Sequence, residues 1–315
     1  NRKRHQQMRA VDIFSGCGGM SLGFEQAGID VVAAFDNWKP AVDIYRANFK
    51  HPIFQKNLCD ENSAQLIADK QPDIIIGGPP CQDYSIAGKR QIGERANLTI
   101  RFAEIVTCVK PEWIVFENVY NIERFGTLPV MRNKLKTAGY GLSERIIDAS
   151  LCGAPQARKR YILVGHMKDD DGFLNEILDS NLADHQMTVR EYLGDKLHTQ
   201  YYYMHPRSYA RRAVFSIDEP AATIRGINRP IPSNYKKHPS DAAAIKDGVR
   251  ALTTKERSYL QTFPDEFKLP GAKTNVELAI GNAVPPALAK YIAQCIEKYI
   301  SVKESPIRGS KNDIF

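Results

Sequence analysis

What most constrains this chain is an alternation running from about residue 10 to residue 165, in which short apolar runs take turns with helix-spaced segments. AVDIF (10–14) leads through the glycine turn SGCGG into the helix-spaced MSLGFEQAG (20–28). IDVVAAFD (29–36) leads into WKPAVDIYRANF (38–49), where Pro40 suits a first helical turn. DIIIGG (73–78) and WIVFEN (113–118) read as buried strands, with RFAEIVTCVKPEW between them as a helix that stops near Pro111. LPVMRNKLKTAGYG (128–141) is a helix capped by Gly139, and RYILVG (160–165) closes the series as a strand. Such a series packs as an α/β doubly wound arrangement, a mostly parallel sheet with helices on both faces.

From about residue 170 the texture changes. DDDG, the aromatic and basic run HTQYYYMHPRSYARR (198–212) and the proline-rich RGINRPIPSNYKKHP (225–239) follow neither period. TTKE at 253–256 has the form of a capping box and starts a helix, TKERSYLQTF. PPALAKYIAQCIEKYI (285–300) is amphipathic and suited to pack back on the first unit. The expected division is a catalytic and cofactor-binding domain over 1–185, a loop-rich second domain over 186–272, a returning C-terminal helix over 273–302 and a polar tail over 303–315.

Composition narrows the function classes. No window approaches the roughly 20 apolar residues of a membrane span. The opening NRKRHQQ is charged with no apolar stretch behind it, unlike a secretory signal. The six cysteines (Cys17, Cys59, Cys81, Cys108, Cys152 and Cys295) show no zinc or disulfide spacing, so free thiols and a cytoplasmic location are expected. The net charge of +7 allows a polyanionic partner without requiring one.

Three features carry chemistry. The turn FSGCGG (14–19) lets a backbone approach a ligand and leaves helix-start amides free. Asp36 ends the next strand, where doubly wound folds place an acid for ribose hydroxyls; the same residue could equally cap the following helix. Together the two favour an adenosine-type ligand. The stiff turn GGPPCQDYS (77–85) presents Cys81 just past a strand's carboxyl end. A single free cysteine more often packs as a small apolar side chain than acts as a nucleophile.

A set of motifs in order reverses that preference. FSGCGG, GGPPCQ, FENV (116–119), QARKR (156–160), RALTTKERSYLQTFP (250–264) and IGNAVPPALA (280–289) together resemble the cytosine-C5 DNA methyltransferases of bacterial restriction–modification systems. The resemblance covers nearly the whole chain outside about 170–245. It implies a Rossmann-like mixed sheet of the class I S-adenosylmethionine-dependent methyltransferase type, with a smaller loop-rich recognition domain. It also implies S-adenosylmethionine as methyl donor, S-adenosylhomocysteine as product, no metal, double-stranded DNA as substrate, and a monomer that can accompany a cognate restriction endonuclease.

Residue by residue, the resemblance makes Cys81 the thiolate that adds to carbon 6 of a flipped cytosine and Glu117 the acid at its ring nitrogen 3. Arg158 and Arg160 of QxRxR would share a strand face with each other and hold the base's carbonyl oxygen and the Cys81 loop. The cofactor residues are Phe14, Cys17, Gly19, Asp36, Asn37, Asn57, Leu58, Pro79, Leu98, Asn282 and Val284. The Pro79 carbonyl is also an acceptor for the base's amine. In KNLCDEN (56–62) the family's aspartate is replaced by Asn57, which leaves Asn57 and Asp60 as alternatives for the adenine contact. In GERANL (93–98) Ala96 stands where the family has glycine.

The expected DNA contacts are Gln82, Ser85, Lys89 and Arg90 after the nucleophile, and Arg207, Arg225 and Arg229 in the recognition domain. Arg211, Arg212, Lys236 and Lys237 lie in the same basic stretches. TIRG (223–226) resembles a recurrent piece of that domain. A tRNA cytosine methyltransferase of the same fold and a catalytically silent DNA-binding relative are the competing readings. The presence of Cys81, Glu117, Arg158 and Arg160 disfavours the second, and the lack of a Cys-Phe-Thr signature disfavours the first.

Overall fold

Strands that are apolar along their whole length need cover on both faces, and the computed structural model provides it; it describes residues 7–80, 98–208, 210–246 and 248–304. The chain begins with β1 (Arg9–Ile13), α1 (Gly19–Gln26), β2 (Asp30–Asp36), α2 (Lys39–Asn48), β3 (Ile53–Gln55), α3 (Ser63–Ala68) and β4 (Ile74–Gly77). From residue 98 it continues with α4 (Leu98–Val109), β5 (Trp113–Val119), α5 (Thr127–Thr137), β6 (Tyr140–Asp148) and β7 (Lys159–Met167). Then come α6 (Asn175–Ser180), α7 (Val189–Leu193), β8 (Tyr201–Tyr203), β9 (Val214–Ser216) and β10 (Arg250–Ala251). Three helices finish it: α8 (Thr254–Leu260), α9 (Lys273–Asn282) and α10 (Pro286–Glu304).

Seven strands form one sheet in the order β3-β2-β1-β4-β5-β7-β6. The first five pair in parallel, and β7 runs antiparallel between β5 and β6. The order reverses between β1 and β4, the switch point where such sheets bind ligands beyond the strand carboxyl ends. The reversal of β7 follows from chain length. Only a short stretch holding one 3₁₀ turn, Ala149–Cys152, links β6 to β7, too little for the crossover a parallel pair needs.

Alternate residues of the strands feed two apolar layers. Ala10, Ile74 and Val115 meet Met20 and Phe24 of α1 and Leu288 and Ile292 of α10. Val11, Ile75 and Ile114 meet Phe102, Ile105 and Val106 of α4 and Met131 and Leu135 of α5. The final helix thus returns to the first core. It crosses α1 so closely that a Cβ on Gly23 would lie 2.3 Å from the Pro286 carbonyl oxygen. Residues 273–302 hold two helices instead of one, because Pro285 and Pro286 lack the N–H groups that would continue α9.

The loop-rich stretch carries a second, three-stranded sheet in the order β10-β8-β9. Its Tyr202, Phe215 and Leu252 join Leu260 and Phe263, Val276 and Ile280 of α9, and Ile44 of α2 in one cluster. The loop-rich stretch is therefore seated on α2 and α9 through a shared apolar core. No helix among the described residues is long and apolar enough to cross a membrane.

Candidate active site

The turn after β1 bends sharply because Phe14, Gly16 and Gly18 all take left-handed backbone angles (φ 58, 55 and 95°). That is ordinary for glycine, but at Phe14 it costs on the order of 1 kcal/mol and marks a held conformation. The bend is tied to β2 by Asp36, whose carboxylate accepts from the amides of Gly16 and Trp38, each at 2.8 Å. Burial raises the Asp36 pKa, and those amide bonds pull it back.

On one side of the turn a Cβ added to Gly16 would meet nothing within 4 Å. On the other, a Cβ on Gly19 would fall 2.0 Å from the carbonyl oxygen of Val284. The switch point thus brings Phe14, Gly19, Asp36 and Val284 into one neighbourhood, with Asn282 exposed at the end of α9, Asn37 exposed after Asp36 and Leu98 half-buried at the start of α4. Ser15 Oγ is buried there without a hydrogen-bond partner among the described residues. An open cradle with an orphaned hydroxyl and an acid at the end of β2 fits a nucleoside-containing ligand. No group of His, Cys, Asp or Glu among the described residues could hold a metal ion.

Three of the expected cofactor residues are engaged elsewhere. The Cys17 thiol is buried against the Ala279 carbonyl (3.5 Å) and its pKa is pushed up to about 12 by burial, so only its backbone can face a ligand. Asn57 turns its side-chain oxygen onto the Cys59 amide at 3.1 Å, and Asp60 pairs with Lys56 at 2.6 Å. Leu58 is buried in the core beneath β4 and α4.

A second cluster lies at the carboxyl ends of β4 and β5 and at the amino end of β7, which runs antiparallel to β5 and so starts where β5 finishes. Glu117 on β5 is 7% exposed and pairs with Arg160 Nε on β7 at 3.0 Å. Burial raises its pKa, outweighing the pull of Arg160 and Arg158 in the other direction. The segment leading to Cys81 passes directly over this carboxyl: a Cβ on Gly78 would lie 2.9 Å from Glu117 Oε2. Pro79 is held by the buried Asn118, whose Nδ2 donates to the Pro79 carbonyl at 3.0 Å. Cys81 itself, with Gln82, Ser85, Lys89 and Arg90, lies outside the described residues.

Arg158 departs from the expectation that both arginines hold the base and the Cys81 loop. It is buried, and its guanidinium donates to the backbone carbonyls of Ile224 (2.8 Å), Gly281 (2.9 Å) and Ala283 (3.0 Å). It lies just ahead of β7, close enough to feel the Arg160 charge, but the chain segments folded over it supply its acceptors. Of the pair, only Arg160 bonds the Glu117 carboxylate.

With that geometry in place, comparison with known proteins is decisive. The profile of the C-5 cytosine-specific DNA methylases matches residues 8–298. This chain belongs to that family. It is 50% identical over 305 residues to the Type II methyltransferase M.HindV of Haemophilus influenzae, covering 96% of this chain and 99% of the relative. It is 49% identical to the Type II methyltransferase M.HgiDI of Herpetosiphon aurantiacus, covering 93% and 96%. Among solved structures, S. pombe Dnmt2 methyltransferase superposes with a TM-score of 0.70 at 17% identity, covering 95% of this chain and 100% of that one. A DNA modification methyltransferase encoded within an E. coli prophage reaches 0.69 at 22% identity, covering 94% and 100%. These two likenesses speak to the fold alone. The activity is therefore methyl transfer to carbon 5 of cytosine in DNA, and membership implies S-adenosylmethionine as donor.

The methyltransferase's basic residues sort by their partners. Arg212 pairs with Glu219 and lies over the Phe215 ring (4.4 Å), so its role is internal. Arg190 and Arg250 are likewise matched to carboxylates. Arg207, Arg211, Arg225 and Arg229 have no carboxylate partner among the described residues, and the first, second and fourth are exposed. They are neighbours. Burial lowers the Arg225 pKa, and Arg207, Arg257 and Arg211 lower it further; burial and then Arg229 and Arg225 do the same to His205. Lys236 and Lys237 are exposed in the following loop.

Other residues of the site escaped the reading of the sequence. Gly78 and Asn118 sit inside quoted motifs, but their contacts with Glu117 and Pro79 are made across the sheet. Asp12 is buried on β1, with Oδ2 accepting from Ser21 Oγ at 2.6 Å and Oδ1 without a partner among the described residues. Burial, with Asp36 nearby, pushes its pKa up to about 7. The available signal was an acid in the middle of the apolar run AVDIF.

Proposed function

We propose that this methyltransferase works through covalent addition of Cys81 to carbon 6 of a cytosine flipped out of duplex DNA, with Glu117 holding the proton at ring nitrogen 3. The observation that carries this reading is the buried, Arg160-paired carboxyl of Glu117 lying against the segment that enters the Cys81 turn. Carbon 5 of cytosine is a poor nucleophile. A thiolate bond at carbon 6 makes the ring enamine-like, and a proton delivered to nitrogen 3 takes up the charge that develops there. S-adenosylmethionine, when bound, supplies an electrophilic methyl group. Loss of the carbon 5 proton and departure of the Cys81 sulfur then restore the aromatic ring.

The residues that would hold the cofactor are Phe14, Gly19, Asp36, Asn37, Leu98, Asn282 and Val284, with the Cys17 and Pro79 backbones. Asp36 would accept from ribose hydroxyls through the lone pairs its two amide bonds leave open. Arg160 steadies Glu117 and presents a donor to the base's carbonyl oxygen. Arg158 works at one remove, through the backbone it grips. Gln82, Ser85, Lys89 and Arg90 would serve the flipped strand, since a base inside the duplex cannot be reached.

The recognition surface is the cluster Arg207, Arg211, Arg225 and Arg229. Like charges gathered without counter-ions are costly unless a polyanion completes them. Removing Arg207 or Arg229 should lower the slope of log K against log salt by about 1 for each phosphate left unneutralised. Arg212→Ala should lower thermal stability and leave the slope unchanged. Fluorescence anisotropy across a salt series checks both.

The setting that follows is a monomer acting on DNA in a prokaryotic cytosol, within a restriction–modification system like those for which its relatives are named. The deciding assay transfers labelled methyl from S-adenosylmethionine to unmethylated duplex DNA and, in parallel, to tRNA. Label in DNA at cytosine carbon 5 supports the reading, and bisulfite sequencing then gives the site. Label in tRNA alone would overturn the duplex substrate.

A further inference from the structure

The segment that leaves the recognition surface crosses the catalytic core beside the cofactor turn, and three buried polar side chains tie the two together. Gln156, Arg158 and Gln261 are 0, 1 and 0% exposed. Gln156 Oε1 accepts from the Ile224 amide at 2.8 Å, while its Nε2 donates to Gln261 Oε1 at 2.7 Å and to the Leu260 carbonyl at 3.1 Å. Gln261 Nε2 faces the opposite way and donates to the carbonyls of Ile280 and Ala283. Arg158 bridges both sides, through Ile224 on one and Gly281 and Ala283 on the other. Thr223 adds a bond from its hydroxyl to the Ala157 carbonyl at 2.9 Å.

The contact is backbone against backbone. A Cβ on Gly281 would lie 2.2 Å from the Gly226 nitrogen and 2.3 Å from the Arg225 carbonyl carbon, so only glycine lets the segments meet. The gripped turn continues through Asn282 to Val284, whose carbonyl abuts Gly19. The gripping segment carries Arg225, part of the arginine cluster that has no carboxylate partner among the described residues, and the Arg225 guanidinium donates to the His205 carbonyl. A second tether runs alongside, where Asn228 Nδ2 donates to Leu252 O (2.9 Å) and to Glu277 Oε1 (2.8 Å), itself paired with Arg257.

Buried amides and a buried guanidinium must keep their partners, because water cannot replace them there. A shift of residues 223–226 alone would orphan donors and acceptors on both sides at once. The two segments must therefore move together. We propose that Gln261, with Gln156 and Arg158, is a positioning residue that couples the DNA surface to the cofactor turn, so that each ligand tightens the other's binding. This rests on the placement of cofactor and DNA proposed above. Linkage requires the effect to be reciprocal, with one factor describing both directions.

The test measures four affinities. S-adenosylhomocysteine binding is taken by calorimetry with and without a saturating short duplex carrying the cytosine the enzyme methylates. Duplex binding is taken by anisotropy with and without saturating S-adenosylhomocysteine. In the wild type both ratios should agree at about fivefold or more. In Gln261→Met both should fall below about twofold while each ligand still binds alone. A merely structural role would weaken the two binary complexes and leave the ratio intact. Should Gln261→Met fail to fold, Thr223→Val removes one tether at a half-buried position and should reduce the ratio by about half. An unchanged ratio in the folded variant, or no coupling in a wild type that binds both ligands, overturns the proposal. A wild type that binds neither would overturn the underlying placement, and this proposal with it.

Discussion

Cys81→Ser is expected to bind S-adenosylhomocysteine and duplex DNA as the wild type does, and to transfer methyl at a rate lower by about 10⁴-fold or more. A serine hydroxyl is not ionised at neutral pH, whereas a few per cent of an ordinary thiol is, and sulfur is intrinsically the better nucleophile. The turn GGPPC follows β4, whose last residue, Gly77, packs so tightly that a Cβ would lie 2.4 Å from the Ile13 carbonyl oxygen. The entry to the turn is thus fixed by the sheet, and Asn118 fixes Pro79 in addition. Single-turnover transfer of labelled methyl reads the rate. A duplex with fluorine at cytosine carbon 5 reads the covalent bond, since fluorine cannot leave as the proton does and the adduct persists through denaturation. The wild type should give that adduct and Cys81→Ser should not. A variant that keeps more than about a hundredth of the wild-type rate would remove Cys81 from the nucleophile's role.

Much of this site was legible because its framework is local. Glycine and proline punctuate apolar runs at the ends of β1 and β4, and those ends are where a doubly wound sheet puts its ligands. The capping box over 253–256 forms as its spacing implies, with Thr253 and Glu256 each satisfying the other's backbone amide. What was not legible is set by partners far away in the chain. Arg158 and Arg160 look equivalent in QARKR, yet Arg158 finds its acceptors 66, 123 and 125 residues further on. Arg212 looks like its basic neighbours until Glu219 and Phe215 fold against it. The edge strand β6 hid because Ser143, Glu144 and Arg145 interrupt its apolar pattern, which an edge position tolerates. Gln261 sits inside the motif RALTTKERSYLQTFP with nothing to single it out: a glutamine just past a helix end is ordinary until both its ends are found buried against other segments.

Glu117→Gln should lower single-turnover methyl transfer by about 10²- to 10⁴-fold, with binding of either ligand little changed. The amide keeps an oxygen for Arg160 and a donor for the base but has no proton to transfer. The pH profile separates this from simple damage. Burial raises the Glu117 pKa above its ordinary 4.5, so the protonated, competent form persists to higher pH and is lost as pH climbs through the folded value. The wild-type rate should fall through that range for this reason, and the Gln variant should show no such step. Stability moves the same way. An acid whose folded pKa is raised contributes a cost once ionised, absent below pH 4.5 and complete above the folded value. Wild type should therefore lose stability relative to Glu117→Gln as pH rises across that window, as thermal melts at several pH values would record. Glu117→Ala is the contrasting case. It leaves Arg160, with a side chain only 12% exposed, without an acceptor at this position, and should cost about 3–5 kcal/mol. If Glu117→Gln were as slow as Glu117→Ala but equally unstable, the carboxyl would be holding Arg160 in place instead of holding a proton for the base.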